Sequence, residues 1–252
     1  MEMSGDTATA LPPRRERWGP WATLAWAVGG AAVLVASQTI GEVIYLFLSG
    51  KIANGRPLSA EDLAKDGALV AFAVLTSAPF VLGYIALAVR LARTSLVDYL
   101  ALRWPRWWHI AVGVAAVAIV LFLSGAAAQA SGQEIPEFMT DTFASARQAG
   151  VLPLLVLSFV VLAPLEEEIL FRGFVYRGLA PALGPPLTIV LTSAVWAVVH
   201  VQYPWFYVGE IFLLGLTFGW LRWLSGSLVT SILLHIANNG LAILAMALMN
   251  SD

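Results

Sequence analysis

The chain has 252 residues, 59% of them apolar and only 12% charged, with a net charge of -2 and a mean hydropathy of +0.79. A water-soluble domain carries roughly a quarter of its residues as charges, so this composition excludes a soluble globular protein and predicts a polytopic membrane protein. No basic excess is available for nucleic acid. The absence of cysteine removes disulfides, thiol nucleophiles and Cys-ligated zinc.

Residues 1–18 are polar, with Pro12 and Pro13 followed by Arg14, Arg15 and Arg17, and are expected to form a cytoplasmic tail. A membrane span needs about 20 mostly apolar residues. On that criterion seven spans, or eight, are expected in an all-α bundle, near 20–48, 67–91, 107–129, 151–178, 185–203, 205–222 and 227–249. The connection between the fifth and sixth is the weakest boundary, since little more than Gln202, Tyr203 and Pro204 separates them. Between spans the chain has room only for short segments: a capped turn at 58–63, an inner interfacial helix at 94–104, and an outer one at 136–148 carrying Phe138, Met139 and Phe143 on one face. Residues 19–149 read as accessory helices, and 150–250 as the part that carries chemistry.

Orientation follows from the basic residues, which favour the cytoplasmic side. With seven spans, Arg14, Arg15, Arg17, Arg90, Arg93, Arg103, Arg106, Arg172, Arg177 and Arg222 fall on the N-terminal side, against Lys51, Arg56, Lys65 and Arg147 opposite. The N-terminus is therefore expected in the cytoplasm, with the chain in the plasma membrane. Arginine-for-lysine usage and abundant alanine point to a GC-rich bacterial genome.

An ionised group at mid-bilayer costs at least about 2.5 to 3.5 kcal/mol, so such groups are functional candidates. The fourth span contains Glu166, Glu167, Glu168 and Arg172 in APLEEEILFRG. On a helix Glu168 and Arg172 share a face and can pair. Glu167 projects about 100° away and is left free for chemistry. Glu166 reads as a bystander, solvated by headgroup water at the helix end. His200 lies one turn after Trp196, and His235 one turn before Asn239, with Asn238 near the same face. His109, beside Arg106, Trp107 and Trp108, reads as an ordinary interfacial residue. If the spans alternate in direction, Glu167, His200 and His235 lie at cytoplasmic depths that agree to about 10 Å. Gly215 and Gly219 form a GxxxG pattern, read as close helix packing.

These residues resemble a known family. APLEEEILFRG is similar to the EExxxR motif of the CPBP intramembrane proteases, which include the type II CAAX prenyl endopeptidases and bacterial Abi-type proteins. Arg172 sets the register on Glu167 and Glu168, because Phe171 stands where the alternative would need Arg. Trp196 to His200 matches FxxxH with Trp in place of Phe, and His235 to Asn239 matches HxxxN. The resemblance implies an endopeptidase in which Glu167 and His200 activate water while His235 and Asn239 stabilise the oxyanion. A second version has Glu167, His200 and His235 hold zinc; the metal-free version is preferred. It implies as partners the lipid bilayer and a membrane-anchored peptide or protein substrate. The alternatives are a catalytically silent scaffold or immunity protein of the same family, and a proton-coupled transporter. HExxH, GxSG and GxGD are absent, which removes the zincin, rhomboid-type and aspartyl designs.

Overall fold

The computed structural model describes residues 18–51 and 59–250; the polar tail, including Arg14, Arg15 and Arg17, lies outside them, as does Arg56. The described chain is all-helical, without strands. In chain order the helices are α1 (Pro20–Leu48), α2 (Ala60–Ala64), α3 (Gly67–Leu91), α4 (Leu96–Leu100), α5 (Trp107–Ser131), α6 (Glu137–Gln148), α7 (Leu152–Val156), α8 (Ala163–Glu168), α9 (Tyr176–Leu183), α10 (Pro185–Val198), α11 (Trp205–Ser225) and α12 (Leu228–Met249). Four of them, α1, α3, α5 and α12, are long and apolar enough to cross a membrane. Their outward faces are rich in exposed apolar side chains such as Val28, Val35, Phe122 and Leu244, as expected where lipid is the solvent.

The predicted fourth span is a more unusual object than a plain helix. From Leu152 to Leu183 the backbone never leaves the right-handed helical region at its junctions, yet two stretches, Leu157–Leu162 and Ile169–Val175, wind as π-helix around α8. The first has a local cause. Ala163 N donates to Ser158 O, the i to i+5 pattern, and the next donor in that pattern would be Pro164, which has no N–H. The fifth expected span is also different: α10 is only 14 residues long, about 21 Å, short of the roughly 30 Å hydrocarbon layer.

Small residues set the helix contacts. Thr23, Gly30, Ser37 and Gly41 are the buried residues of α1, spaced so as to form one narrow seam against α3. At Gly41 a Cβ would come within 2.6 Å of Thr76 Oγ1. At Gly178, in α9, a Cβ would meet Thr23 at 1.9 Å, so the same seam runs on to the end of the rod. The expected outer helix is α6, which buries Thr142, Phe143 and Ala146 rather than merely lying on an interface. The expected inner one is α4, with Tyr99 and Leu100 buried.

The described basic residues separate by end. Arg90, Arg93, Arg103, Arg106, Arg177 and Arg222 lie where α3 and α11 finish and α5, α9 and α12 begin. That end is tied together by Leu228 N to Ala101 O at 3.0 Å and by Ser227 to the Arg103 carbonyl. At the other end Lys51 pairs with Asp66, Lys65 with Glu137 and Asp141, and Arg147 with the Asn250 carbonyl.

Candidate active site

Three consecutive carboxylates on an α-helical turn must point about 100° apart, and α8 sends each to a different neighbour. Glu166 faces α3, where Ser77 Oγ donates to it at 2.8 Å in a buried setting. It is therefore not the headgroup-solvated bystander expected; it is a buried, hydrogen-bonded link between α8 and α3. Glu168 faces α12, fully buried, accepting from Arg172 Nη1 at 3.0 Å and from His235 Nδ1 at 3.1 Å. Glu167 faces α10 and is the most open of the pair, its side chain 26% exposed against none for Glu168.

Trp196 does more here than fill the aromatic position of its motif. Its indole Nε1 donates to Glu167 Oε2 at 2.6 Å. The Arg172 guanidinium lies 4.3 Å over its ring, and His200 and His235 meet the ring edge-on at 5.2 and 5.3 Å. Phenylalanine could supply the stacking surface but no donor, so the exchange within the FxxxH pattern changes the hydrogen bonding of the candidate base and not only the pocket shape. The signal was present in the sequence as a Trp at a motif position that usually carries a ring without a polar atom.

Gly215 permits the stack. A Cβ there would stand 3.0 Å from Trp196 Cε3 and 3.1 Å from Arg172 Nη2, and the bare backbone lets its carbonyl accept from Arg172 Nη2 at 3.3 Å. Gly219, one turn on, does the same for Ile189 of α10. The GxxxG pattern thus acts through close approach of α10 and α11.

His200 lies just beyond α10, in the turn after Val198, not inside a longer span. Its Nδ1 is 2.7 Å from Trp196 O. A carbonyl can only accept, so Nδ1 carries the hydrogen and Nε2 is the nitrogen left for chemistry. His235 is oriented the same way by Glu168, and its Nε2 lies 3.9 Å from Glu167 Oε2. That gap is too long for a direct hydrogen bond, yet one water hydrogen-bonded to both atoms at about 2.8 Å would span about 4 Å.

Asn239 does something the sequence did not suggest. Its Nδ2 donates to Phe159 O at 2.9 Å. In the π-helical ladder this carbonyl's partner would be the nitrogen of Pro164, which has no hydrogen, so the side chain of α12 closes the gap that the proline opens. One amide hydrogen of Asn239 is thereby committed to the backbone. Asn238 Nδ2 donates to Asn239 Oδ1 at 3.2 Å, orienting that amide. His109 is buried in the first turn of α5 against Trp108 and lines neither cavity described below.

A cavity of about 1010 Å³ runs along this assembly between α1 and α10, with Glu167, His200 and Asn239 on its wall. Its lining is largely apolar and includes Trp21, Leu24, Val28 and Leu34 of α1. Glu167 and His200 line this cavity, with His235 buried behind Glu167, and no group of three His, Asp or Glu side chains is arranged to hold a metal ion among the described residues. Each histidine engages an oxygen through Nδ1, which leaves both Nε2 atoms free, and Glu167 accepts an indole hydrogen at one oxygen.

Residues 149–241 match the family model described as type II CAAX prenyl endopeptidase, Rce1-like. That match agrees with the CPBP and CAAX protease family which the three motifs in the segment resemble. The chain is also similar to the "Uncharacterized 24.3 kDa protein" of Escherichia coli, 34% identical over 137 residues, which is 53% of this chain and 61% of the relative. It thus spans less than two thirds of that relative's length. No solved structure matches the chain.

Two outcomes follow from this geometry. Trp196→Phe should keep the fold but lower kcat on a membrane-anchored reporter peptide by about tenfold with little change in KM, the effect of losing one hydrogen bond to a charged group. An unchanged kcat would mean the indole only fills space. Asn239→Asp cannot donate to Phe159 O and sets an acceptor against it. It should lower thermal stability in detergent by an amount equivalent to about 1 to 3 kcal/mol, and a Tm like that of the parent would break the proposed link between Asn239 and Pro164.

Proposed function

We propose that the protein is an intramembrane endopeptidase, with seven membrane crossings and its N-terminus in the cytoplasm, that hydrolyses a peptide bond of a membrane-anchored substrate. The observation that carries this reading is the pair Glu167 Oε2 and His235 Nε2, 3.9 Å apart, beside an apolar cavity between α1 and α10. A pocket walled by apolar side chains suits a segment arriving from the bilayer better than a soluble peptide. The separation of arginines from the lysines and Arg147 supports the orientation.

In this scheme a water held near Glu167 and His200 Nε2 attacks the scissile carbonyl carbon while Glu167 takes its proton. The carbonyl electron pair moves to oxygen, and His235 in its doubly protonated form, with Nδ1–H on Glu168 and a second hydrogen on Nε2, donates to that oxyanion together with the uncommitted N–H of Asn239. Collapse restores the carbonyl, breaks the C–N bond, and sends the proton held on Glu167 to the leaving nitrogen. Trp196, donating to the same Glu167 oxygen, holds the carboxylate on the α10 side. Arg172 never meets the substrate in this scheme; it neutralises Glu168, which orients His235. No metal takes part in any step. A prenyl group on the substrate is named by the family's description and is not required by the chemistry here.

Glu167→Gln keeps the volume and loses the proton acceptor. It should abolish cleavage of a membrane-anchored reporter by purified protein while leaving the unfolding temperature close to that of the parent; near-normal turnover would remove Glu167 from its role. Parent-level activity after treatment with a chelator that reaches the cavity, with no stoichiometric zinc in elemental analysis, is expected. Zinc lost together with activity would overturn the metal-free scheme. A well-folded parent that cleaves none of a panel of anchored peptides would favour the silent-scaffold reading.

A further inference from the structure

A second cavity, of about 670 Å³, lies at the arginine-rich end of the bundle, bounded by Arg93, Arg103, Arg177 and Arg222, with Asp98 and Trp223 on its wall. Four arginines and one carboxylate line this cavity, and that carboxylate is already used. Asp98 accepts from Ser95 Oγ at 2.7 Å and from Arg103 at 3.0 Å. The Ser95 hydroxyl and Arg103, with a weaker pull from Arg177, hold it below the ordinary carboxylate range.

The other three arginines have no such partner. Among the described residues no side-chain hydrogen bond or ion pair engages Arg93, Arg177 or Arg222. Arg222 is 6% exposed, and its buried Nε has no hydrogen-bond partner; the buried Nε of Arg177 is in the same condition. The face of the Tyr176 ring, 5.4 Å from the Arg222 guanidinium, stabilises the cation without satisfying its N–H groups. Leaving a buried guanidinium unpaired is costly, and Arg222, buried, beside Arg177, half-buried with its own Nε unpartnered, points to a missing anion at this cavity. Arg93 and Ala101, both on the cavity wall, are also the described non-glycine residues with left-handed backbone, at φ 58° and 55°.

We propose that this cavity is a phosphate-binding site and that it holds the headgroup of an anionic phospholipid. Guanidinium forks match phosphate oxygens in pairs, and basic pockets between membrane helices suit lipid headgroups. Depth argues for the lipid as the source: Trp223, Trp104 and Trp107, 50%, 83% and 80% exposed, mark this end as the level where acyl chains meet headgroups. The site is independent of the protease reading, although Arg177 lies only five residues past Arg172, so a bound headgroup braces the end of the same helical rod.

The test compares thermal unfolding of the full chain in three settings at matched ionic strength: nanodiscs of phosphatidylcholine, nanodiscs containing phosphatidylglycerol, and detergent titrated with inorganic phosphate. Phosphatidylglycerol should raise Tm by several degrees. The double variant Arg93→Gln, Arg177→Gln, which leaves the buried Arg222 in place, should need about tenfold more of that lipid for the same rise. The double variant Arg90→Gln, Arg106→Gln removes equal charge from exposed positions outside the cavity and should respond like the parent. A rise with inorganic phosphate as well, lost in the Arg93, Arg177 variant, supports the site with free phosphate as a sufficient source. The proposal falls if neither phosphate nor phosphatidylglycerol shifts Tm, or if both double variants respond alike, since that marks only general attraction of a basic end to an acidic membrane.

Discussion

The arrangement depends on one constraint: a fully buried arginine must be neutralised where no water can do it. Arg172 stands inside the bundle with 1% of its side chain exposed. The bilayer supplies no partner, so every neighbour is chosen for it. Glu168 provides the opposite charge from the preceding turn, Gly215 provides a carbonyl because it has no side chain to hold it away, and Trp196 provides a π-face. These partners come from α8, α11 and α10, so engaging the two terminal nitrogens and the face of one guanidinium draws three helices to one point. His235 of α12 adds a fourth through Glu168. Removing one member of such a network is expected to cost more than its contacts suggest, because the survivors are left buried and unpaired.

Glycine and proline work at the same place by opposite means. Gly215 lets backbone and rings approach. Pro164 withholds a hydrogen, and the resulting π-helical stretch needs an amide from another helix to complete it. Helix α12 therefore holds the acidic segment at two points: at Phe159 through Asn239, and at Glu168 through His235. They lie on either side of Glu167, so this carboxylate is carried on a segment braced above and below.

Much of this was legible in the sequence. The apolar excess required helices in lipid. The four-residue spacing of Glu168 and Arg172 predicted their pairing, and the order of three short motifs identified which histidines to watch. What was not legible has physical reasons. A periodicity of 3.6 assumes an uninterrupted α-helix, and Pro164 shifts the ladder, so the predicted span 151–178 hid its π-helical stretches. Glu166 looked dispensable because its partner, Ser77, is 89 residues away on α3. Hydropathy extended the fifth span through Tyr203, whereas the helix ends at Val198, because an apolar run records burial in lipid and not backbone conformation. The resemblance treated Trp196 as one more aromatic, since a motif records the ring and not the hydrogen on it.

The three glutamates of α8 illustrate how a helix can give one residue type three fates. Each carboxyl group is the same chemical group on one short helix, so differences among them must come from direction alone. Turned toward α3, Glu166 finds a neutral hydroxyl; turned toward α12, Glu168 finds an imidazole there and the Arg172 cation one turn on along its own rod. Glu167, turned toward α10, accepts a hydrogen bond from an indole N–H at one oxygen, with His235 Nε2 3.9 Å from that oxygen, and retains an open side toward the cavity. An indole can orient a carboxylate but cannot neutralise it as an arginine does. The middle residue of the trio therefore stays both fixed in position and chemically available, which is the combination a base in a water-poor site requires.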